Sequence, residues 1–291
     1  MKNKTSLFLH ALLYIFPGAL IILTFHFIPV FYAFYVSFFQ GRFGREVFVG
    51  FQNYRILFQD PDFWNSLKNT TYYVIGTVPT TIILSLCIAM LLNSKIKGLS
   101  IYRTIYFLPV ITSINAVAIV WKWLFHNQYG LFNSWLEYFG MARIDWLGDP
   151  KFAMFSIILM SIWKGLGYNI IIFLAGLQGI PKHLYESADI DGAGLWHKFR
   201  HITVPMISPV TFFVLIMSTI SSFQVFAQVY MMTQGGPNKS TSVIVYHLYD
   251  KAFQKFDMGS SSAIAFVLFI IILIMTIIQR KVAEKKVHYA N

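Results

Sequence analysis

Apolar residues in this chain neither alternate nor keep to one face; they run together. Six stretches, at residues 12–39, 71–92, 104–125, 152–177, 207–232 and 260–279, are mostly apolar over their length. A helix rising about 1.5 Å per residue needs about 20 such residues to cross about 30 Å of hydrocarbon, so each stretch predicts a spanning helix. Barrel strands would instead alternate over about ten residues, whereas residues 264–278 are apolar almost throughout. The first stretch is too long for a signal-peptide core and is followed by no small-residue cleavage site, which predicts an uncleaved first helix, bent by Pro17 and Pro29. The expected fold is all-α: a polytopic membrane protein of six transmembrane helices in one domain over residues 1–291.

Composition narrows the class. Of 291 residues, 56% are hydrophobic and only 12% charged, against about 25% charged in soluble domains; the mean hydropathy is +0.59. A soluble enzyme and a disordered chain are both excluded. One cysteine, Cys87, lies inside an apolar run, so neither a disulfide framework nor a thiolate metal cluster forms within the chain.

The net charge of +11 matters by its placement. Segments 1–10, 93–103, 180–206 and 280–291 carry twelve Lys and Arg, and the longer set 40–69, 126–150 and 233–258 carries eight. The denser set predicts the cytoplasmic side, with both termini inside, and the charge reads as anchoring to anionic lipid rather than as nucleic-acid binding.

Most connections are short, but residues 180–206 are not. Pro181 suits a helix start, since the amide it lacks would be unpaired there anyway. Residues 182–189 can form a short helix with Leu184 and Ala188 on one face. Gly192-Ala193-Gly194 supplies a tight turn, and Leu195, Trp196, Phe199 and Ile202 recur at helical spacing up to Pro205. Two short helices about a glycine elbow form a compact protrusion, suited to a partner or to a lipid surface.

Within that loop Glu186-Ser187-Ala188, then Gly192, then Ile202-Thr203-Val204-Pro205 fits the E-A-A-x-x-x-G-x9-I-x-L-P pattern of permease subunits of binding-protein-dependent ABC importers, departing only at Ser187 and Val204. The flanking Leu174-Ala-Gly-Leu-Gln-Gly-Ile-Pro181, and Thr233-Gln-Gly-Gly-Pro237 with Ser240-Thr241, resemble the sugar branch of that family, the maltose- and glycerol-phosphate-type permeases. The resemblance covers essentially the whole chain.

The resemblance implies that the loop is a coupling helix seated in a cleft of a cytoplasmic ATPase. Glu186 would meet a basic residue there, Gly192 would let the elbow seat closely, and Leu184, Ala188 and Leu195 would give apolar contact; Ser187, Asp191 and Ala193 complete the docking set. It implies two such ATPase subunits, holding the ATP and magnesium, a second permease subunit of related sequence, and an external or periplasmic solute-binding protein, all at a bacterial or archaeal cytoplasmic membrane. The chain itself has no G-x-x-x-x-G-K-[ST] motif and so does not hydrolyse ATP by that route. It is expected to be non-catalytic, with no bound cofactor or metal.

Polar residues inside spans mark the expected substrate path. Ser161, Lys164, Gly165 and Tyr168 in the fourth stretch match, by distance from Glu186, the positions where maltose-type permeases line their sugar site. Ser218 and Ser222 lead a fifth-stretch set that also holds Ser221, Gln224 and Gln228. Trp163 or Tyr168 could stack on a sugar ring; interhelical packing is the competing use of all these residues. Lys164, near mid-span, costs roughly 2.5–3.5 kcal/mol on insertion scales, so it must meet a cavity, a carbonyl cluster or an anionic ligand.

Other constellations carry less. His197 and His201 lack the glutamate of a zinc helix. His26 reads as a hydrogen-bonded structural residue, and Asp189 and Asp191 as loop polarity or partner contact. Trp121, Trp123, Trp135 and Trp146 fit an outer interface belt. A self-sufficient secondary transporter, the alternative, would need intramembrane carboxylates, and no Asp or Glu falls within the six stretches.

Overall fold

The computed structural model describes residues 2–41, 47–93 and 98–284. Arg42, Arg45, Lys95, Lys97, Lys285 and Lys286 of the charge argument lie outside the described residues. Contacts group the chain into two units, residues 1–60 with 248–270, and residues 61–247 with 271–291.

In the first unit α1 (Lys2–Ile22) passes through a π-turn, Leu23–Phe27, into α2 (Ile28–Val36). Pro17 lies within α1 without ending it. At Pro29 the ladder widens instead, with the Ile28 amide reaching back to the Leu23 carbonyl, which absorbs the bond that proline has no amide to make. The helix window His10–Val36 buries nothing within the chain, as a surface facing hydrocarbon or another subunit should. It ends in a short antiparallel ribbon of β1 (Phe39–Gln40) and β2 (Val47–Phe48), an addition to the all-α expectation.

Helix α3 (Gln52–Gln59) locks onto this turn. The buried Asn53 amide donates to the carbonyls of Ser37 and Phe39, both at 2.8 Å, and Tyr54 and Ser37 share a hydroxyl bond of 2.7 Å. Gly259 opens the last helix where any Cβ would strike the Phe39 carbonyl.

The second unit is built on α4 (Pro61–Leu92) and α8 (Pro150–Gln178), which pack along one another. The apolar window of α8 is 56% buried, against 33% for α4, so α8 is the central rod. Its N-terminus is set by Asp149, whose carboxylate accepts from the Lys151 amide at 2.9 Å, with Pro150 at the first helical position. Ile170, Phe173, Leu174 and Leu177 meet Ala89 and Leu92 of α4 and Val214 of α12 (Ser208–Phe223) in one core.

Two expected spans are not single rods. Residues 104–125 split into α5 (Leu99–Ile111) and α6 (Ile114–Leu124), bent by 109° across Thr112–Ser113. Pro109 weakens the last turn of α5, and Thr112 is extended at ψ 139°. The fifth stretch ends as α12 at Phe223 and resumes as α13 (Ala227–Met232); before it, residues 195–206 meet α12 at 64°. Among the described residues four helices are therefore long and apolar enough to cross a membrane, and up to six spans result when each bent pair counts once.

The connection before α8 folds on itself. Asn133, 1% exposed, sits in α7 (Leu131–Tyr138). Its amide donates to the Asn127 and Ile144 carbonyls, both at 2.9 Å, and accepts from the Ile144 amide and the Trp146 indole at 3.1 and 3.0 Å. Trp146, whose indole makes that bond, packs with Phe125, Phe132 and Trp121 in one aromatic cluster. Half of the expected interface belt is thus a packed cluster, because these rings bury one another; Trp123 and Trp135 stay exposed. Asn133→Leu should lower stability by about 1–3 kcal/mol, since it strands two half-buried donors; thermal melting of the purified protein, with an unchanged midpoint as the contrary result, checks this.

Candidate functional site

A cleft of about 330 Å³ opens between α4, α8, α12 and α13. One wall comes from a stripe of buried polar residues on α4: Ser66, Thr70, Tyr73, Thr77, Thr81 and Ser85. Their three- and four-residue spacing puts them on one helix face. The Thr70 and Thr81 hydroxyls bond back to the Ser66 and Thr77 carbonyls, both at 2.7 Å, which pairs these two donors inside an apolar span. Tyr73, Thr77 and Thr81 reach the cleft.

From α8 come Ser161, Gly165, Tyr168 and Asn169, from α12 Ser218, Ser221 and Ser222, and from α13 Gln228. Asn169 donates to the Ser218 hydroxyl at 3.4 Å, and the buried Thr77 and Ser161 hydroxyls adjoin the Tyr73 phenol. Gly165 keeps the floor open, since a Cβ there would already touch the Thr81 methyl at 3.4 Å. Tyr168 is 51% exposed, a flat ring presented at the cleft. Donors, acceptors and one ring face on a rigid frame can hold a polyhydroxylated cargo. A larger hollow of about 520 Å³ is lined mainly by apolar residues such as Phe107, Leu108 and Ile171 and offers such a cargo few bonds.

Five of the six expected path residues, Ser161, Gly165, Tyr168, Ser218 and Ser222, meet at this cleft. Lys164 does not line it: its ammonium donates to the carbonyls of Pro109, Val110 and Thr112. Trp163 also turns elsewhere, packing on Trp121 at 5.6 Å. The α4 wall lies outside the expected set of path residues, although hydroxyl residues recurring every three or four positions through an apolar helix mark it in the sequence.

The loop between α8 and α12 holds α9 (Lys182–Ile190), α10 (Leu195–Lys198), a π-turn at Phe199–Thr203 and α11 (Val204–Met206). Helix α9 ends in a left-handed Gly192 at φ +74°. The Gly192 amide bonds the Asp189 carbonyl at 3.1 Å and the Ala193 amide bonds the Ala188 carbonyl at 2.8 Å, the paired bonds of a Schellman cap. The Tyr185–Thr203 hydroxyl bond of 2.9 Å and the Lys198–Asp189 ion pair brace the two arms. A Cβ at Gly192 would meet no atom of this chain, so the glycine is required there by its backbone angle.

Glu186, Ser187, Asp191, Gly192 and Leu195 are exposed, while Leu184, Ala188 and Ala193 are half-buried. Leu184 packs inward on the α4–α8 core instead of facing outward as expected, because α9 lies down on the bundle. The exposed apolar tip is Ile190 and Leu195, each 87% exposed, with Trp196 at 70%.

Apolar helices around a polar cleft, with a braced loop presenting an apolar tip, are the frame that a membrane transport subunit needs. The chain belongs to the family described as binding-protein-dependent transport system inner membrane component, whose model matches residues 81–288. It is 37% identical over 269 residues to the probable ABC transporter permease protein YurN of Bacillus subtilis, covering 90% of this chain and 92% of that protein. It is 34% identical to the trehalose/maltose transport system permease protein MalF of Thermococcus litoralis, covering 94% and 92%, and 37% identical to the arabinooligosaccharides transport system permease protein AraP of Bacillus subtilis, covering 92% and 86%. Its fold matches a chain of a bacterial ABC transporter for import of the acidic polysaccharide alginate, with a TM-score of 0.83 at 24% identity over 98% of this chain and 97% of that one. It is a multi-pass membrane permease.

Proposed function

We propose that the chain is one permease subunit of an ATP-driven sugar importer, forming half of the pathway through its polar cleft and coupling to a cytoplasmic ATPase through the loop at residues 186–205. The observation that carries this reading is the cleft, where hydroxyls, amides and one open tyrosine ring converge inside an otherwise apolar bundle. The names of the trehalose/maltose and arabinooligosaccharide relatives support an oligosaccharide cargo. A matching permease chain comes from a complex with an alginate pentasaccharide-bound periplasmic protein, which supports delivery by a solute-binding protein on the outer side. The lysine and arginine bias supports cytoplasmic termini and a cytoplasmic loop.

In this reading the chain itself is non-catalytic. It has six spans and one loop, so a second permease subunit closes the pathway, and each loop engages one ATPase, which holds ATP and magnesium. When the ATPases close, the braced loop moves as one piece and tilts α12, whose serines line the cleft. Uptake by the complete transporter in proteoliposomes tests the assignment. Uptake of neutral oligosaccharides that requires internal ATP and binding protein is expected; uptake driven by an ion gradient without ATP would overturn it.

A further inference from the structure

Alginate, an acidic polysaccharide, and the uncharged sugars trehalose and maltose both stand among the cargoes named for similar proteins, so likeness leaves the charge of the cargo open. The wall that this chain contributes to the cleft bears on it directly. Its polar lining, including Thr77, Ser161, Asn169, Ser222 and Gln228, consists of hydroxyls and amides, and among the described residues none that lines it is Asp, Glu, Lys or Arg. A carboxylate drawn from water into such a wall loses its hydration without meeting a cation, and that cost is far larger than for a hydroxyl.

The cation closest in sequence is Lys164, adjacent to Gly165 on the same helix, and it is already committed. Helix α5 ends at Ile111, and the 109° break leaves its last carbonyls with no following turn. The Thr112 hydroxyl takes the Leu108 carbonyl at 2.9 Å. The Lys164 ammonium takes Pro109, Val110 at 3.2 Å and Thr112 at 2.8 Å, engaging all three of its protons. The negative end of a helix is a favourable place for a cation, and turning Lys164 toward a substrate carboxylate would strip three carbonyls at once.

Resting on the saccharide reading, we infer that the cleft is built for uncharged saccharides, and that Lys164 is a positioning residue that holds the α5–α6 break against α8. It is not a reader of substrate charge.

The test measures direct binding to the detergent-solubilised permease–ATPase complex without its binding protein, which removes that protein's own selectivity. The probes are malto-oligosaccharides and alginate oligosaccharides of equal length. The neutral series should bind about tenfold or more tightly, the scale of one charged-group interaction left unmade. That ratio should stay the same in Lys164→Met, while uptake of every cargo falls in the same proportion and Lys164→Arg, which also donates several N–H groups, restores it. Preference for the acidic series in the wild type, or its selective loss in Lys164→Met, would overturn the inference and leave the saccharide reading standing. Binding of neither series would remove both.

Discussion

Gly167→Ala is expected to disrupt the subunit, whereas Gly165→Ala, two positions away on the same helix, is expected to leave it folded. A Cβ at Gly167 would run into the Tyr106 carbonyl and lie 2.6 Å from a methyl of Val110. The first obstacle is backbone, so α5 would have to back away from α8 and would pull on the Lys164 bonds to Pro109, Val110 and Thr112. Overpacking of this kind costs about 1–3 kcal/mol, and more where backbone is the obstacle. At Gly165 the added carbon meets only the Thr81 methyl at 3.4 Å, an ordinary contact on the cleft floor. Melting of the purified complex and cargo binding separate the two: the first variant should lose stability and assembly, the second only cargo affinity. Equal melting curves would show that α5 does not rest on α8 as described.

Loss of ATP-driven uptake by more than tenfold is the expected result for Glu186→Lys and for Ile190→Asp. The first reverses the exposed charge of α9, and the second places a carboxylate on an apolar tip that is 87% exposed; burying an unpaired charge at a subunit contact costs several kcal/mol. Neither side chain supports the fold of this chain, so the free permease should keep its melting temperature while ATPase co-purification is lost. Gly192 gives a graded companion. Valine at φ +74° is strained by about 1–2 kcal/mol, whereas asparagine tolerates that region, so Gly192→Asn should couple better than Gly192→Val. Normal uptake in both Glu186→Lys and Ile190→Asp would take the coupling role away from this loop.

The residues most legible in the sequence are those whose constraint is local. Runs of apolar side chains mark spans because hydrocarbon admits only internally bonded backbone, and the Glu186 to Pro205 spacing marked the loop because a cap, an elbow and a stop are each set by neighbours in sequence. The cleft residues of α8 and α12 were partly legible, since polar groups in an apolar span need partners. Tyr73, Thr77 and Thr81 are less legible, although they repeat along one face of α4, because hydroxyl residues in a span serve interhelical packing as readily as a cavity.

Hydropathy and turn chemistry act over a few residues and leave their mark in order along the chain, so the helical membrane class, the segments apolar enough to cross and the loop that stands out from them are all legible there. The 109° break in residues 104–125, the inward turn of Leu184, and the Lys164 bonds to three carbonyls at the end of α5 while its neighbour Gly165 lines the cleft come from packing between helices. The reason is geometric: successive helix positions point about 100° apart. Which of two adjacent residues meets cargo and which meets another helix is therefore set by the docking of α8 against α4 and α5, over separations of more than 50 residues.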